Sequence, residues 1–181
     1  TVALSTSGTA TEGTDYGTIS DITISAGATT GTATLDPTDD NVYEGDETAT
    51  IDISSVSGKS GVTENSTQQV SVTIAENESA PTVTLATSDT SIAENAGSSL
   101  TLTATLSVAT TADVTVALST SGTATEGTDY TDGSGAIDDI VISAGATTGT
   151  VSFTPTDDSL YDATSNETAT IAISGVSGGS A

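Results

Sequence analysis

The chain contains no cysteine, histidine, tryptophan or methionine, and its one basic side chain is Lys59. Without cysteine there are no disulfides and no thiolate metal sites. Without histidine or cysteine, a serine or threonine hydroxyl has no partner base for a catalytic triad and no thiolate can act as nucleophile. Paired carboxylates can hydrolyse glycosides, but aromatic residues make up 3% of the chain, leaving little to hold a sugar ring. We therefore do not expect an enzyme. Apolar runs are a few residues long, far short of the roughly 20 that span a bilayer, so no membrane insertion is expected. No signal-like segment opens the chain, and residue 1 reads as an internal point of a longer product.

What the chain has in excess is negative charge. Against one basic residue stand 25 Asp and Glu, a formal net charge of -24. Such a chain repels nucleic acid and anionic membranes and attracts cations.

The remaining signal is repetition. TVALSTSGTATEGTDY at 1–16 recurs unchanged at 115–130, and SAGATTGT at 25–32 recurs at 143–150. PTDD (37–40, 155–158) and ETATI (47–51, 167–171) follow in both copies. Near-identity at a fixed order indicates an array of modules. Within each copy, apolar and polar residues alternate over short runs, as at Val2 and Leu4, Ile22 and Ile24, Ala33 and Leu35, Ile51 and Ile53. The same holds at Leu100 and Leu102, Val114 and Val116, Ile140 and Ile142. Period two with Thr, Val and Ile predicts antiparallel strands with one buried face, and no stretch has helical period. The expected fold is all-β, as tandem immunoglobulin-like sandwiches of seven strands. The boundary is placed between 1–80 and 81–181. The first module is expected to lack its first two strands and the second its seventh, completed by neighbouring repeats or by identical subunits through strand complementation into a homopolymer. The linker Glu78, Ser79, Ala80, Pro81 is short and stiffened by proline, which favours rods.

Antiparallel strands run up and down, so alternate connections share an end. One end collects Glu94, Asp15 and Asp129, Asp39, Asp40, Glu44, Asp46 and Glu47, Asp157, Asp158, Asp162 and Glu167, and Glu76 and Glu78. The other end has Glu64, Asp113 and Lys59. Surface acidity of a halophilic kind would cover every face, yet the SAGATTG loops contain no acid. Clustered carboxylates raise one another's pKa unless a cation sits among them. An all-oxygen donor set suits a hard ion taking six to eight ligands, calcium before magnesium. The spacing is not an EF-hand, because Tyr43 stands where the fifth-position ligand belongs.

The segments SGTATEGTDY, SAGATTGT, DDNVYEGDE at 39–47 with its counterpart DDSLYDATSNE at 157–167, and AENAG at 93–97 resemble the Calx-beta family, in order and over nearly the whole chain. The resemblance implies a β-sandwich that in many members binds calcium. By motif it implies as ligands Glu94, Asp15 and Asp129, Asp39 and Asp40, Asp157 and Asp158, Glu44 and Glu47, Asp162 and Glu167, with Glu76 and Glu78 as a terminal acidic stretch. The family has plain spacers as well. The function expected is an extracellular structural repeat in a calcium-stiffened rod or filament of a bacterial surface protein. The alternative is a calcium-dependent adhesin module with an unknown surface ligand. Tyr16, Tyr130, Tyr43 and Tyr161 recur beside the acids and are expected as hydrophobic plugs beneath the metal end.

Overall fold

In strands of this composition the face chosen by Leu, Val and Ile goes inward and the face chosen by Thr and Ser goes out. The computed structural model, which describes residues 1–158 and 166–179, divides into two compact units, Thr1–Asn77 and Glu78–Ala181.

Unit 1 contains β1 (Val2–Gly8), β2 (Val42–Tyr43), β3 (Glu47–Val56) and β4 (Gln69–Ile74). β3 lies between β1 and β4, antiparallel to both. The ladders set Gly8 opposite Ala49 and Glu47 opposite Ile74. The loop leaving β1, the loop entering β3 and the chain leaving β4 therefore meet at one end of the sheet. Beneath that end a small core forms from Ala10, Tyr16 and Ala49, with Ile19, Leu35, Ile51 and Ile74 packed against it.

Unit 2 contains β5 (Val83–Thr87), one turn of 3-10 helix (Glu94–Ala96), β6 (Leu100–Leu106), β7 (Ala109–Thr110), β8 (Val114–Gly122), β9 (Tyr130–Thr131), β10 (Ile140–Ile142), β11 (Thr148–Pro155) and β12 (Ala169–Gly178). One sheet has the order β5-β6-β11-β9 and the other β10-β8-β12, antiparallel throughout. Their inner faces meet through Leu102, Ala104 and Leu106 on β6, Val114 and Val116 on β8, and Ile140 and Ile142 on β10, all buried. This is a β-sandwich. Tyr130 stacks on Phe153 with ring centroids 4.6 Å apart.

The repeat is visible in detail. The β1–β3 ladder skips Ser54 and the β12–β8 ladder skips Ser174, so both copies carry the same bulge. Two expected strands of the first copy are corrected, however. Ile22 makes a single bridge to Val2, Pro37 a single bridge to Tyr16, and residues 23–36 form no strand. In unit 2 the counterpart of residues 30–35 is β11, which is laddered to β6. Unit 1 contains no counterpart of β6, and alternation without a ladder partner does not make a strand. Ile24 is left 42% exposed.

Candidate metal centre

The loop after β1 is a tight turn built from its own side chains. The Thr11 amide donates to Asp15 Oδ2 at 2.6 Å, and the Asp15 amide donates back to the Thr11 carbonyl at 3.0 Å. Glu12 spans the turn: its Oε2 accepts from Thr6 Oγ1 at 2.8 Å and its Oε1 from the Ile19 amide at 3.0 Å. Tyr16 lies beneath, 1% exposed, and Asp15 is itself buried. The Thr38 amide reaches the Asp15 carbonyl at 2.9 Å, tying this turn to the loop that enters β3.

That second loop delivers Glu44 and Glu47. Carboxylate oxygens of Asp15, Glu44 and Glu47 lie within 4.8 Å of one another. Two oxygens bound to one calcium ion at 2.3–2.6 Å are separated by at most about 5 Å, so the three carboxylates fit a common ion of that size. The donor set is all oxygen and triply negative, the chemistry of a hard divalent cation. When bound, calcium supplies the positive charge these three groups lack. Among the described residues no Lys or Arg lies in this loop set, since Lys59 is the only basic side chain of the chain.

The rest of the acidic end orders the loop. Glu76, at the end of β4, accepts from the Glu44 amide at 2.6 Å and the Gly45 amide at 2.7 Å through Oε2. Its Oε1 accepts from the Asn77 amide at 2.9 Å. The Glu76 amide donates to Asp46 Oδ1 at 2.9 Å, and Asn77 Nδ2 donates to Asp39 Oδ1 at 2.8 Å. Asp40 Oδ1 accepts from the Val42 amide two residues on. Glu76, expected as a ligand, is thus engaged by backbone amides and anchors the ligand-bearing loop. Tyr43, expected as a plug, is half-buried.

The electrostatics carry the mark of crowding. Burial and then the charges of Asp15, Asp40 and Glu76 push the Glu44 carboxyl above its ordinary 4.5. Burial, Asp15 by charge and by hydrogen bond, then Glu44 and Glu76 do the same for Glu47. A carboxyl whose folded pKa is raised binds more protons folded than unfolded just above pH 4.5, so stability falls as pH rises through that window. The metal-free chain is expected to withstand more urea at about pH 5 than at about pH 7.5, and Glu44→Gln with Glu47→Gln should flatten the trend. A wild-type chain that weakens over the same acidification contradicts this. Asp132 acts in a lower window: hydrogen bonds from Ser134 and Gly135 hold its carboxyl below 3.8.

Unit 2 repeats the turn almost atom for atom. Thr125 donates to Asp129 Oδ2 at 2.6 Å, Thr120 Oγ1 to Glu126 Oε2 at 2.8 Å, and the Ile137 amide to Glu126 Oε1 at 2.6 Å. Tyr130 is buried below it, which pushes its phenol up. The Asp158 amide donates to Glu94 Oε1 at 3.2 Å. Glu94 and Asp157 share the lining of one depression with Ser98, Ser99 and Thr154. Asp162, the counterpart of Glu44, and Tyr161 lie outside the described residues. Glu167 is exposed just before β12, and Glu78 is half-buried at the start of unit 2.

Glu12 and Glu126 were not expected to matter. Both carboxylate oxygens of each are spent on the turn that presents Asp15 or Asp129. Glu12→Ala removes the acceptors of the Thr6 hydroxyl and the Ile19 amide and is expected to cost about 1–3 kcal/mol in urea unfolding. Glu64→Ala, whose Oε1 accepts from the exposed Gln68 amide at 2.7 Å, is the control, expected within about 0.5 kcal/mol of wild type. Equal effects would remove the structural role of Glu12.

No curated protein and no solved structure matches the chain significantly. The family model of the Calx-beta domain matches residues 1–78 and again residues 76–179, one match per copy. With two adjacent matches running from residue 1 to residue 179, over a β-sandwich fold, the chain belongs to the Calx-beta domain family.

Proposed function

We propose that the chain is a calcium-binding structural repeat of an extracellular or cell-surface protein, in which bound calcium stiffens a rod of successive modules. The observation that carries the reading is the Asp15, Glu44 and Glu47 cluster, three carboxylates within 4.8 Å with no basic side chain in their loops. Membership of a β-sandwich family without catalytic chemistry supports a non-enzymatic role. The net charge of -24 disfavours nucleic acid and anionic membranes as partners, and no described helix is long and apolar enough to cross a membrane. Neighbouring repeats of the same kind are the natural partners.

A calcium site in an extracellular module ordinarily binds with a dissociation constant of roughly 0.1–1 mM. Calorimetric titration of the metal-free chain with calcium is expected to give saturation in that range, with weaker binding of magnesium. Absence of any calcium heat up to about 10 mM, some ten to a hundred times that constant, rejects the reading.

A further inference from the structure

Three asparagines open an Asn-x-Ser/Thr triplet with no proline inside it: Asn65-Ser66-Thr67, Asn77-Glu78-Ser79 and Asn166-Glu167-Thr168. In a secreted chain such a triplet accepts N-linked carbohydrate where the fold leaves it on an accessible surface loop. The pattern ranks the three alike, and the fold does not.

At Asn77 the reacting atom is occupied. Its Nδ2 donates to Asp39 Oδ1 at 2.8 Å, and its backbone amide donates to Glu76 Oε1 at 2.9 Å. At Asn166 the third residue of the triplet is pinned. The Thr168 amide donates to Thr123 Oγ1 at 2.9 Å, and the Thr168 carbonyl accepts from the Thr123 and Ala124 amides at 2.9 and 3.1 Å. Its hydroxyl lies 3.4 Å from that of Thr123, and β12 begins at the next residue.

Asn65 differs on each count. It lies in the connection 57–68 between β3 and β4, where Asn65, Ser66 and Thr67 are all exposed. Ser66 has φ +61°, the one positive value at a non-glycine among the described residues, so the chain turns sharply just after the asparagine. The Gln68 side chain donates to the Asn65 and Thr67 carbonyls at 2.8 and 3.3 Å. The Asn65 side-chain amide and the Thr67 hydroxyl bond to nothing among the described residues. Val62 of the same connection is 57% exposed, apolar surface that a bulky, solubilising carbohydrate would cover.

We propose that Asn65 is an N-glycosylation site, and that of the three triplets it is the one the folded chain presents. The donor is a glycan linked to a polyprenyl pyrophosphate. Asn65 Nδ2 attacks the anomeric carbon of the first sugar and a C–N bond forms. The anomeric C–O bond breaks, its electron pair leaves with the pyrophosphate, and one amide proton passes to a base of the transferase. β3 runs from Glu47 to Val56, so the glycan stands about 30 Å from the carboxylate cluster and leaves it open to calcium. For its setting the assignment rests on the extracellular reading, so acceptor chemistry and calcium binding are measured separately.

The intact chain, and short synthetic peptides centred on each asparagine, are incubated with a single-subunit oligosaccharyltransferase and its lipid-linked donor. Occupancy is read by peptide mass mapping. All three peptides are expected to react. In the intact chain Asn65 should react about tenfold or more faster than Asn77, whose bond to a carboxylate has to open first. Asn65→Gln and Thr67→Ala should each abolish the Asn65 product, and calcium titration of the Asn65→Gln chain should match wild type. An unmodified Asn65 in the intact chain overturns the proposal, whether or not its peptide reacts. Asn77 or Asn166 reacting as fast as Asn65 in the intact chain overturns it too. Glycosylated Asn65 in a chain that takes up no calcium would remove the metal reading and leave this one standing.

Discussion

Calcium at ten to a hundred times its dissociation constant is expected to stabilise unit 1 by roughly 1.4–2.7 kcal/mol, because the proposed site is assembled in the folded chain and not in the unfolded one. For a unit of this size that corresponds to a rise in Tm of about 6–20 °C. Excess chelator should reverse it. Asp15→Asn should abolish most of the rise, since Asp15 is the buried member of the cluster and the common neighbour of Glu44 and Glu47. In chelator the same variant should melt no lower than wild type through charge, because it removes a repulsive partner from both glutamates. Equal midpoints with calcium and with chelator in the wild-type chain would sink the metal assignment at this site.

The second large effect is steric. Gly122 closes β8 with φ +123°, and a Cβ added there would lie 2.0 Å from the Thr168 carbonyl oxygen. Gly8 repeats this at φ +118°, with its Cβ 2.0 Å from the Thr48 carbonyl oxygen. The obstacle is backbone of the paired strand, which cannot rotate away as a side chain can. Gly122→Ala is expected to cost about 3 kcal/mol or more, through strain and displacement of the ladder, and to lower the Tm of unit 2 by about 12 °C or more. Gly127→Ala is the comparison: φ is +82° but nothing lies within 4 Å of the added Cβ. It carries the conformational strain alone, about 1–2 kcal/mol. If both variants melt alike, the close approach at Gly122 is not what matters there.

Strand positions were legible where alternation and a partner coincide. Leu102, Ala104 and Leu106 alternate with threonines and have strands on both sides, so pattern and ladder agree. Ile22 to Leu35 alternate as well, but alternation states only which face is apolar, and in unit 1 nothing pairs with residues 30–35. The acidic end was readable because up-and-down topology sends Asp15, Glu44 and Glu47 the same way however far apart they lie in sequence. What each carboxylate does there was not readable. A carboxylate that accepts from amides and one that faces other carboxylates are spelled identically. Glu12 satisfies a turn through its own neighbours. Glu76 takes up amides 31 and 32 residues away, a distance at which local pattern is silent.

The contacts of Glu76 and Asn77 have a mechanical consequence. Tension entering unit 1 from residue 78 meets these two residues before it reaches the β4 ladder. Their bonds to Glu44, Gly45, Asp46 and Asp39 lie on the loop that carries two of the three clustered carboxylates. Pulling therefore loads several charge-assisted bonds together, in parallel, where peeling β4 alone would break its ladder one rung at a time. An ion that tightens this loop raises the force at which the unit gives way, a fastening that a chain without cysteine cannot obtain from a disulfide.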